Sequence, residues 1–63
     1  MEKVIKIIMR RDRLTRDEAT DLVKETAEAM IEAIEAGDLE EAETILAQEL
    51  GLEPDYLFDL IPF

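Results

Sequence analysis

The feature that most constrains this chain is a pair of helix start and stop signals set one after the other between Thr15 and Gly51. Thr15 is followed three residues later by Glu18. At that spacing the Thr hydroxyl and the Glu carboxylate satisfy each other's free backbone amides at a helix N-terminus. Asp17 and Glu18 also suit the positive end of the helix dipole. The helix begun there is expected to run to Ala36 and stop at Gly37, since glycine readily takes the left-handed conformation that closes a helix. That is about 21 residues, or roughly 30 Å at 1.5 Å per residue. Asp38 and Glu41 repeat the start signal, and Gly51 repeats the stop. Two helices joined by a tight turn at Gly37-Asp38 make a helical hairpin, and little chain remains for anything else.

The flanks read as shorter helices. Met1, Val4, Ile5 and Ile8 recur at i, i+3, i+4 and i+7, which places them on one helical face, with Lys3, Lys6, Arg10 and Arg13 opposite. The stretch Val4 to Ile8 also has the β-branched content of a strand, but a lone strand would have no partner, so helix is the expectation. Near the C-terminus, Pro54 suits a first helical position because its missing amide hydrogen would be unpaired there. Glu53 is a possible cap, and a last short helix is expected over about Pro54 to Leu60. Pro62 prevents its extension. The expected fold is therefore all-α, a single domain over residues 1–63, built as a small bundle of three or four helices around a central hairpin.

Composition bounds the chemistry. A chain of 63 residues buries only about 60% of its unfolded surface. With no Cys, neither a disulfide nor a thiolate metal site can add stability. Leu, Ile, Val and Phe together supply 19 of the 63 residues. That lies above the roughly 20% below which charged chains stay disordered, so a folded core is expected despite a net charge of −10. There is no Ser, Cys or His, so a hydroxyl such as Thr15, Thr20, Thr26, Thr44 or Tyr56 has no histidine base to activate it. Paired carboxylates need a cleft that shifts their pKa values apart, and a fold this small offers little room for one. The expectation is a protein that is not an enzyme, with no cofactor. Asp38, Glu40, Glu41 and Glu43 are dense but lack the spacing of a calcium loop, so no metal site is expected. No segment reads as a membrane span or a cleavable leader, and a cytoplasmic setting is the default.

At the hairpin a resemblance can be stated. Gly37-Asp38-Leu39-Glu40-Glu41-Ala42, followed by Leu46, Leu50, Leu52 and Pro54-Asp55, resembles the turn and second helix of a tetratricopeptide repeat. The likeness covers about 19 residues, against the roughly 34 of a whole repeat. In the preceding helix Thr26, Met30 and Ala33 stand where that family carries a large aromatic and a small residue, so the first half departs from the pattern. The likeness implies two antiparallel helices joined at Gly37-Asp38 and nothing about peptide binding. Leu14-Thr15-Arg16-Asp17-Glu18-Ala19 with the later Gly37-to-Ala42 segment is also faintly similar to ubiquitin-associated domains, although the second helix is far too long for that family. In general style the chain is similar to small acidic helical proteins of bacteria and their prophages.

Charge and apolar placement define three candidate surfaces. All seven basic residues lie in the first 24 positions, and residues 25–63 carry twelve carboxylates and no basic residue. Such asymmetry can steer a partner or orient two copies of the chain. The first surface is an acidic stripe, Asp17, Asp21, Glu25, Glu28, Glu32 and Glu35, at spacings of four and three along one face of the long helix, opposite Leu22, Val23, Met30 and Ile34. Such a row can be an ordinary solvated face, or it can imitate a phosphate backbone and occupy the basic groove of a nucleic-acid-binding partner. The second is a basic cluster, Lys3, Lys6, Arg10, Arg11 and Arg13. It is expected to pair with the chain's own acids, within one molecule or between two; a small anion or nucleotide is the alternative ligand. Direct nucleic-acid binding is not expected, since the total charge is negative and no aromatic accompanies the cluster. The third is apolar: Tyr56, Leu57, Phe58, Leu60, Ile61 and Phe63, with Ile7 and Ile31 at the edges of their helix faces. One short helix beside two long ones cannot easily cover every side of this segment, so it is expected either to plug the core or to form a subunit interface. Core packing of Leu57, Phe58 and Ile61 is expected in either case. These features lead to the expectation of a non-catalytic protein–protein interaction module that forms a homodimer or higher oligomer and binds a protein partner rather than a membrane.

Overall fold

The computed structural model describes residues 1–61, so Phe63 of the apolar segment lies outside the described residues. The described chain forms α1 (Glu2–Asp12), α2 (Arg16–Glu35), α3 (Leu39–Leu50), a single 3₁₀ turn (Pro54–Tyr56) and α4 (Leu57–Leu60), with no strand among the described residues. The fold is a small all-α bundle. Val4 to Ile8 is helical, as its 3.6-residue periodicity predicts.

The most extensive contact is between α2 and α3, the two arms of the hairpin. α1 lies against α2, and the C-terminal turn of chain closes on α1 and α3. The core draws on every helix: Val4, Ile5 and Ile8 from α1, Ala19, Val23, Ala27 and Met30 from α2, Ala42, Leu46 and Leu50 from α3, then Leu52, Leu57, Leu60 and Ile61. Each larger side chain in that set contributes roughly 1.5–3 kcal/mol on burial. Met1, expected on the apolar face of α1, is instead exposed at the edge of the helix.

Local signals place the helix ends. Thr15 Oγ1 accepts from the Glu18 amide at 3.2 Å, and the Thr15 amide donates to Glu18 Oε1 at 2.9 Å, so the capping box at α2 is complete. At the other end Gly37 has φ +81°. Its amide donates to the Ile34 carbonyl and that of Asp38 to the Ala33 carbonyl, both at 2.9 Å. This crossed pair satisfies two carbonyls that the helix would otherwise leave open. It also halves the second capping box. Asp38 Oδ1 accepts from the Glu41 amide at 3.0 Å, but the Asp38 amide is already committed to Ala33 and does not serve Glu41. α3 ends at Gly51 with φ +65°. A Cβ there would come within 3.3 Å of the Arg11 guanidinium, so that cation sits beside the carbonyl end of α3, where the helix dipole favours positive charge. Pro54 opens the last turn as expected, but Glu53 gives no side-chain cap.

Candidate functional site

The six stripe carboxylates, Asp17, Asp21, Glu25, Glu28, Glu32 and Glu35, are all exposed on α2. Among the described residues none of them makes an ion pair. The opposite face carries the buried Ala19, Val23, Ala27 and Met30, together with Thr26, which is only 3% exposed. Thr26 tolerates that burial because its hydroxyl donates to the Leu22 carbonyl at 2.9 Å. Leu22 and Ile34 sit half-buried at the margins.

The basic cluster is spread along α1 and the turn after it. Arg11 donates to both oxygens of the adjacent Asp12, at 3.0 and 3.2 Å, and this bond holds the Asp12 carboxyl below its ordinary value. Lys3 Nζ lies 5.6 Å from the centre of the Tyr56 ring, a cation–π contact that ties α1 to the last turn. Lys6, Arg10 and Arg13 make no ion pair among the described residues. Lys6 and Arg10 flank a shallow hollow of about 330 Å³ floored by Met9 and Leu14, and Arg11 and Arg13 are not part of it. Arg16, outside the expected cluster, pairs with Glu2, whose carboxyl is lowered chiefly by that hydrogen bond.

The apolar set divides. Leu57, Leu60 and Ile61 are buried and so belong to the core of the single chain. Ile7 and Tyr56 are half-buried against that core. Ile31 is 37% exposed and Phe58 72% exposed, so Phe58 does not take the core position expected of it. One-residue steps of about 100° around a helix put Leu57 and Phe58 on different faces, and burying the first turns the second outward.

Phe58 does not stand by itself on the surface. Leu39, at the start of α3, is 52% exposed. The two residues line one groove of about 170 Å³ with Glu43, Pro54, Asp55 and Leu57. Leu39 directly follows the helix cap, where an apolar residue carries no periodic signal, so the sequence offered no reason to group it with Phe58. A third hollow, of about 260 Å³, runs between α2 and α3 and is lined by Leu22, Glu25, Thr26, Ala29, Ile45 and Glu49. Among the described residues no three acidic side chains converge as a metal site would require, and no helix is long and apolar enough to cross a membrane.

Comparison with family models, with curated proteins and with solved structures found no match to this chain. A functional reading therefore rests on the geometry of these surfaces.

Proposed function

We propose that this chain is a non-catalytic protein–protein interaction module that self-associates through the surface around Phe58 and Leu39. The observation that carries the reading is the grouping of two exposed large apolar side chains around a single groove. Projection and recess lie on the same patch. A two-fold dimer presents the same patch from both copies, so Phe58 of one copy meets the groove of the other. A space of about 170 Å³ suits one aromatic ring, since an engineered apolar cavity of about 150 Å³ takes benzene. The patch is reduced from the one expected, because Leu57, Leu60 and Ile61 serve the fold itself. Repulsion at −10 per chain opposes assembly, so apolar contact must dominate and the association should strengthen as salt screens the charge. Sedimentation of the chain beside Phe58→Asp tests this.

A second reading has its own support. Six exposed carboxylates in a row, with no cation paired to them among the described residues, leave a strong negative face on α2. That face suits an inhibitor that takes the place of nucleic acid in a basic groove. The triple change Glu25→Gln, Glu28→Gln, Glu32→Gln abolishes binding to such a partner, and the wild-type affinity falls steeply with salt. Binding that survives the triple change removes this reading.

A further inference from the structure

The hollow between α2 and α3 shares no lining residue with the Phe58 groove. Its floor is apolar: Leu22 and Ala29 from α2, Ile45 from α3. Thr26 also lines it, but its hydroxyl is already satisfied by the Leu22 carbonyl, so the floor asks for no polar partner. Glu25 stands on one side and Glu49 on the other, both exposed and neither in an ion pair among the described residues. The acidic flanks continue beyond the hollow. Glu18, Glu25 and Glu32 recur at intervals of seven along α2, and Glu41 and Glu49 lie one turn either side of Ile45 on α3. An interval of seven keeps Glu18, Glu25 and Glu32 on nearly one line of α2, whereas the eight residues from Glu41 to Glu49 turn about 80° around α3, so on that side Glu49 and not Glu41 lines the hollow.

We infer that this groove is a docking site for a basic amphipathic helix of a partner protein, one with an apolar stripe bordered on both sides by Lys or Arg. Charge complementarity decides the occupant. The apolar floor takes the stripe, the two acidic flanks take the two basic borders, and among the described residues no cation is ion-paired with Glu25 or Glu49. Ala29 lines the hollow with the larger Leu22 and Ile45, and its small side chain leaves room for a projecting side chain, as in packed helix pairs. A volume of about 260 Å³ falls below the roughly 300–1,000 Å³ of sites that enclose drug-sized ligands, which favours side chains over a cofactor or nucleotide. A second copy of this chain is a poor occupant. Its basic helix is α1, and the apolar face of α1, Val4, Ile5 and Ile8, is already buried within the fold. Nucleic acid would be repelled by both flanks. The inference uses a surface separate from the Phe58 groove and does not depend on self-association.

The probe is a synthetic helical peptide of about 14 residues, roughly 21 Å long, with Leu along one face and Lys on both borders, labelled for fluorescence anisotropy against the full chain. A second peptide keeps the Leu pattern and carries Glu on the borders. The Lys-bordered peptide should bind and the Glu-bordered one should not. The pair Glu25→Gln, Glu49→Gln, and separately Ala29→Gln, should each weaken binding by about tenfold or more. The pair Asp17→Asn, Glu35→Gln removes the same charge away from the groove and should have little effect, and Phe58→Asp should have none. All the groove substitutions fall at positions that are exposed or half-buried, and circular dichroism confirms the helix content of each variant. Equal weakening by the two charge-removing pairs would reduce the effect to general attraction and overturn the inference. So would full binding by Ala29→Gln, loss of binding in Phe58→Asp, or failure of the Lys-bordered peptide to bind.

Discussion

Asp59 caps the helix at the other end of the chain: its Oδ2 accepts a hydrogen bond at 3.1 Å from the amide of Val4, 55 residues before it. Met1, the residue at the cap position of α1, has no side chain that can do this. The Met1 ammonium also lies 3.4 Å from the same carboxylate. One side chain from the last turn thus fixes the beginning of the first helix and ties α4 to α1.

Removing that acceptor should loosen both ends of the bundle together. Asp59→Ala is expected to lower stability by about 1 kcal/mol, the usual effect of losing a helix cap. Asp59→Asn keeps an oxygen in place and should retain part of it. Chemical denaturation of the two variants checks the order; equal stability of Asp59→Ala and the wild type would contradict the capping role.

Backbone conformation gives a pair of opposite expectations. A Cβ at Gly37 would meet no atom within 4 Å, so the cost of Gly37→Val comes from the left-handed backbone alone. It should exceed about 1 kcal/mol, because a β-branched residue strongly resists that region. Arg13 closes α1 in the same region, with φ +56°, and is not a glycine. Arg13→Gly should therefore raise stability, by about 0.5–1 kcal/mol after the added freedom of the unfolded chain is set against the relieved strain. Melting temperatures that move in the same direction for both variants would refute this account of the turns.

The capping box at α2 should leave a trace in the pH dependence. Hydrogen bonding from the Thr15 amide, and then from the Thr15 side chain, holds the Glu18 carboxyl below its ordinary 4.5. A carboxyl lowered in the folded state binds its proton more readily when unfolded, so its stabilisation is present above pH 4.5 and is lost as pH falls through the lowered value. Glu18→Gln keeps the shape and the acceptor but does not titrate. The wild type should be the more stable at neutral pH, and the difference should close in acid. A difference that stays constant through that range would show that the charge on Glu18 contributes nothing.

Much of the hairpin was legible because its signals are local. Thr15 with Glu18, Gly37 and Gly51 each act within one helical turn, and each lies where that chemistry requires. The Asp38 box is half-formed for a reason that is also local but harder to weigh in advance: one amide cannot serve both Ala33 and Glu41. What the sequence does not carry is which face of a short helix turns inward. Leu57, Phe58, Leu60 and Ile61 are all apolar, and only the packing of the last turn on the other helices selects Leu57, Leu60 and Ile61 for the core and leaves Phe58 outside. The cap from Asp59, the place of Arg11 beside α3 and the pairing of Leu39 with Phe58 share this character. Each joins residues far apart in the chain, and a single sequence holds no signal of such contacts.

Sedimentation of the purified chain at micromolar concentration, alone and as Phe58→Asp, tests the proposed self-association most directly. The wild type should sediment at twice the 7.2 kDa chain mass or more, more firmly so in higher salt. Phe58→Asp should sediment as a monomer with its helix content unchanged, since Phe58 lies outside the core. A wild type that remains monomeric at every salt concentration, or a Phe58→Asp variant that assembles as well as the wild type, would contradict self-association through Phe58.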